Sequence, residues 1–89
     1  MEQIEFAAIK FCRWGDSFPI IMTSMRHHEI LWLMNEMGIK YRKDDASYVQ
    51  GFWTNQDRFV TREEAMEIAI KSGQVKPSSR NYLLSEDLW

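Results

Sequence analysis

In the segment RFVTREEA, residues 58–65, a β-rich run passes straight into a helix. Thr61 and Glu64 stand three apart. At that spacing a threonine hydroxyl accepts from the third helical amide, while the glutamate reaches back to the threonine N–H. Glu63 lies in the first turn, where the helix dipole favours an anion. The spacing predicts a helix over 62–73, with Ala65, Ile68 and Ala69 inward and Gly73 as its stop. Upstream, 50–60 reads as a hairpin: Phe52 to Thr54 outward, a polar turn around Asn55–Asp57, and Phe59–Val60 returning. Arg62 is left without a reason, because a cation at a helix start is mildly unfavourable.

The other elements follow from pattern. IEFAAIKFC (4–12) is rich in β-formers, and its alternation sets Ile4, Phe6, Ala8 and Lys10 on one face against Glu5, Ala7, Ile9 and Phe11. Gly15-Asp16 marks a turn, and 18–23 returns as a second strand with Pro19 at its start or on an edge. Residues 24–38 form the clearest helix, capped by Ser24 and stopped by Gly38. Ile30, Leu33, Met34 and Met37 make its apolar stripe, joined by His27 and Leu31 and widened by Trp32, so two of its sides are expected to face protein. Residues 40–50 are a polar connection with Asp44-Asp45 at its centre, and 74–89 is a loop ending in an apolar-acidic tail. The fold expected is α+β, a single domain over 1–89: a small, mostly antiparallel sheet with two helices packed on one side and the tail across them.

Eighty-nine residues cannot hide four Trp, three Tyr, five Phe and six Met, so part of this load is expected on a binding or oligomer surface. Eleven bases against 13 acids give a charge of −2, which makes nucleic acid an unlikely partner. Cys12 is alone, so an internal disulfide and a cysteine zinc site are excluded, and in an apolar strand it reads as an inert buried thiol. With neither a leader nor an apolar run of about 18 residues, export and membrane spanning are not indicated, and a cytoplasmic location is expected.

The residues that could carry chemistry are polar ones with weak structural reasons. His27 and His28 are neighbours, pointing about 100° apart on a helix, so they cannot share a metal, and no metal or cofactor is assigned. His27 lies on the apolar stripe, where a satisfied core histidine is the common outcome. It also lies in a helix's first turn beside Arg26, which suits an anion. Arg58 and Arg62 have two readings of equal weight: one pins the tail through Glu86 or Asp87, the other grips a phosphate or carboxylate. Gln50 and Gln74 are loop glutamines on base rates. No nucleophile constellation emerges, which makes an enzyme the minority reading and leaves no residue assigned as catalytic.

RHHEI, then QGFWTNQDRFVTREEAMEIAIKSGQ, then LLSEDLW resemble a family of small bacteriophage and prophage proteins. The shared pattern is R-H, Q-G-F, R-F-V-x-R-x-E-A, G-Q and a terminal S-E-D-L with an aromatic, over roughly residues 26–89. The resemblance implies a phage origin and action in the host cytoplasm, and it supplies no catalytic residues. Arg26, His27, Gln50, Arg58, Arg62, Gln74, Ser85, Glu86 and Asp87 occupy the motif positions. Of these, Arg26, His27, Arg58, Arg62 and Gln74 are the expected ligand-binding set. Two functions from different classes fit. One is a counter-defence protein that holds a small anionic ligand, such as a nucleotide immune signal, without turnover. The other is an inhibitor of a host defence protein, for example an anti-CRISPR, using the Trp/Met surface and the acidic tail. A small nucleotide-acting phage enzyme is a weaker third, and a homo-oligomer is compatible with each.

Overall fold

The computed structural model describes residues 1–42 and 46–89. The Asp44-Asp45 centre of the connection lies outside the described residues. Four strands, β1 (Ile4–Phe11), β2 (Ile20–Ser24), β3 (Val49–Thr54) and β4 (Phe59–Thr61), make one antiparallel sheet in the order β2-β1-β3-β4. Helices α1 (His27–Glu36) and α2 (Arg62–Ser72) cover one face, so the fold is the α+β class expected. Ala7, Ile9 and Phe11 of β1, Phe52 of β3 and Val60 of β4 meet Ile30 and Met34 of α1 and Ala65, Met66 and Ala69 of α2 in one buried cluster. The opposite face carries Phe6, Trp53 and Phe59 in a row across three strands, with Phe6 opposite Trp53 and Trp53 opposite Phe59.

Alternation alone misplaces the start of β1. The β1–β3 register shifts between Ile4 and Phe6, so Ile4 joins Ala7 in the core instead of sharing a face with Phe6 and Ala8. An inserted residue of this kind reverses the sense of a period-2 pattern. Pro19 immediately precedes β2, an edge strand, where its missing N–H costs no ladder bond. Cys12 falls just past β1 and is half-buried, not enclosed in a strand.

α1 begins two residues later than its sequence suggests. Arg26 is the N-cap, with extended backbone, and the Glu29 carboxylate accepts from its N–H at 2.9 Å; Ser24 instead ends β2 and reaches the same carboxylate. Gly38 takes the left-handed conformation, φ 67°, and Ile39 N–H donates back to Met34 at 3.0 Å. The box at α2 is as its spacing predicts: Glu64 N–H donates to the Thr61 hydroxyl at 3.2 Å, and Thr61 N–H to the Glu64 carboxylate at 3.0 Å. Beyond α2 the tail closes with a 3-10 turn, Ser85–Asp87.

Candidate functional site

His27 is buried under the middle of the sheet. Its Nε2 lies 2.7 Å from the Gly51 carbonyl, which only accepts, so this nitrogen carries the proton. The ring meets Phe52 edge-on at 5.0 Å. Ala8 and Gly51 are partners across β1 and β3, so the imidazole ties α1 to one rung of the ladder. Burial lowers its pKa first, and the charge of Arg62 adds to that, outweighing the Gly51 bond and Glu86. Gly51 has its own reason to lack a side chain: an added Cβ would run into the Val60 carbonyl and lie 2.7 Å from the Phe59 ring.

Arg26 and Arg62 border the same region, and both face the tail. The Arg26 guanidinium donates to the Trp89 carbonyl oxygen. Arg62 donates through Nη2 to the Gln50 amide oxygen, Gln50 donates to the Tyr48 hydroxyl at 2.9 Å, and the Arg62 carbonyl accepts from Leu83 N–H at 2.9 Å. Arg62 Nε is buried with no hydrogen-bond partner among the described residues.

Arg58 and Gln74 do not join this group. Arg58 grips Glu2 with two nitrogens, at 2.6 and 2.8 Å, and Glu2 also accepts from the Thr54 hydroxyl at 2.7 Å. The Arg58 bond, then the Thr54 bond, hold the Glu2 carboxyl down at about 2. The Gln74 side chain accepts from Ile4 N–H at 2.8 Å and donates to Ile4 C=O at 2.9 Å. Ile4 and Thr54 are four and three residues from the Ala8–Gly51 rung, roughly 10–13 Å along the strands.

The tail is pinned, though neither Arg58 nor Arg62 makes the carboxylate pair expected. Asp87 pairs with Arg80 at 2.6 Å and accepts from Leu84 N–H at 2.9 Å. Burial opposes the ionisation of Asp87, but these two bonds outweigh it and lower its pKa. Arg80 prevails because it is seven residues away in the same loop, whereas Arg58 is occupied by Glu2. Neither Glu2 nor Arg80 carries a motif or spacing that would have singled it out.

The outer side of α1 is open. Its inner side, His27, Ile30 and Met34, is buried. Trp32 is 61% and Met37 65% exposed, and Leu33 is partly exposed. A shallow cleft of about 380 Å³ runs between Ser24, His28, Glu29, Trp32 and Leu33. Among the described residues no three His, Cys, Asp or Glu side chains come together for a metal, and no helix is long and apolar enough to cross a membrane.

Fold and surface together define a small α+β protein in which Arg26, Arg58, Arg62 and Arg80 brace the chain itself and one side of the first helix is uncovered. The family model described as Phage T4 y16D protein matches residues 3–89, and the chain belongs to that phage family. No curated protein and no solved structure matches it.

Proposed function

We propose that this phage protein is a counter-defence inhibitor that works by docking the outer side of α1 on a host protein. The observation that supports it is Trp32, largely exposed on a helix whose other side is already used in the core, with Leu33 and the C-cap Met37 exposed further round. Tryptophan and methionine are the side chains interfaces favour, and an exposed tryptophan on a helix can anchor it in a groove of a partner. Glu36, exposed on the same helix, suits a basic rim around that groove.

The nucleotide-signal reading has narrower support. Of its five expected residues, Arg26, Arg58 and Gln74 are each engaged by the chain itself, and His27 is buried. Its specific support at that place is the unpartnered Arg62 Nε beside Gln50 and Tyr48.

The docking reading is tested by capturing a host protein on the immobilised chain, then mapping it by hydrogen exchange. The expected result is a stoichiometric partner that protects α1 and is lost with Trp32→Glu, while Arg62→Ala retains it. Capture that ignores Trp32→Glu, or protection confined to other elements, would overturn it.

A further inference from the structure

The turn between β1 and β2 presents a second exposed tryptophan, Trp14, at 63%. The turn is anchored to the segment after α1: Arg13 bridges Tyr41 in antiparallel fashion, and Trp14 N–H donates to Lys40 C=O at 2.7 Å. Gly15 supplies the left-handed conformation, φ 88°, that lets the chain reverse there. Arg13 is oriented by Asp16, which accepts from its Nε at 2.7 Å. The Arg42 guanidinium lies 4.4 Å from the centre of the Trp14 ring.

Two clefts meet at this tryptophan. The larger, about 870 Å³, runs from Arg13, Trp14 and Asp16 to Met37–Lys40. The smaller, about 220 Å³, adds Cys12 and Arg42. Among the described residues, the two clefts are lined by three cations, Arg13, Lys40 and Arg42, and one carboxylate, Asp16.

A surface latch would account for Arg42 over Trp14, since a cation over an aromatic face stabilises an exposed site weakly. It accounts for one face of the indole. It does not account for the exposure of the rest of the ring, or for Arg13 and Lys40 beside it.

We propose that this cleft binds a nucleotide, with a planar base stacked on the open face of Trp14 and its phosphate drawn to Arg13 and Lys40. Arg42 backs the indole, and Asp16 keeps the Arg13 fork turned to the phosphate. The site is separate from the α1 docking face, and none of the five residues expected to hold an anion belongs to it. A free nucleotide and a single-stranded nucleic acid present the same chemistry, so both are probes.

The test is calorimetric titration of the whole chain with adenosine and guanosine monophosphates, a cyclic dinucleotide, pyrophosphate and a short oligothymidylate. Saturable nucleotide binding is expected, about tenfold weaker in Trp14→Ala and in Lys40→Gln, as loss of one stacking or phosphate contact implies. Trp14→Phe, which keeps a ring, should recover part of it, and Trp32→Ala should bind as wild type does. Tighter binding of the oligothymidylate, lost in the same variants, would assign the site to a strand. No saturable binding of any probe at millimolar concentration, or unchanged binding by a folded Trp14→Ala, would overturn the proposal. Trp32→Ala separates the outcomes, because loss of host capture in that variant leaves this site untouched.

Discussion

His27 shows how a residue with two plausible readings is decided by what surrounds it. Its place on the apolar stripe was visible in the sequence; the Gly51 carbonyl that holds its ring, on the rung paired with Ala8, was not. The same holds for Arg58 and Gln74, whose partners Glu2 and Ile4 lie 56 and 70 residues away. Burial of His27 has a consequence in acid. Its native pKa lies below the ordinary 6.5, so below that pH the unfolded chain binds a proton that the native one refuses. This contribution to stability is complete above 6.5 and is lost as the pH falls below it. Denaturant midpoints measured from neutral pH down to about pH 5 should therefore fall for the wild type and for His28→Gln, and fall less for His27→Gln.

Elements were legible wherever a local signal fixed them. The threonine–glutamate box and Gly73 bound α2 to within a residue, because both act through the backbone next to them. Thr61→Ala should lower stability by about 1 kcal/mol in urea unfolding, with the helix otherwise intact. The start of α1 was misread because Ser24 is needed by β2, and the true cap, Arg26, is no side-chain capper; Glu29 does that work from inside the helix. The register shift in β1 is also silent in the sequence, since Glu5 looks like an ordinary outward residue. Arg62, unexplained by α2 itself, is answered by a neutral amide on β3 instead of by an acid.

At the scale of the molecule, the tail is part of the fold. Leu83 and Ser85 are buried, Leu88 and Trp89 pack against the central cluster, and Asp87 is held by Arg80. Removing residues 85–89 should lower the melting temperature by more than about 5 °C, the shift expected when over 1 kcal/mol is lost from a domain of this size. A scan in which the shortened chain melts with the full-length one would mean these contacts add nothing. The apolar ending of the sequence pointed to this docking, and Arg58 or Arg62 was the wrong guess for the clamp because pairing across a fold leaves no periodic trace. The Trp14 cleft was equally hidden, reading as an ordinary turn until the segment after α1 is seen against it.

The amide of Gln74 also bears on how fast the molecule unfolds. β2 covers β1 only from Ala7 to Phe11, so the peptide of Ile4 has no strand on that side, and Gln74 serves as one there. This clasp closes a span of 70 residues, and closure over such a distance becomes favourable only after the intervening sheet and both helices exist. It is therefore expected to form on the native side of the folding barrier. Loosening it would change how quickly the molecule comes apart and leave almost untouched how quickly it assembles.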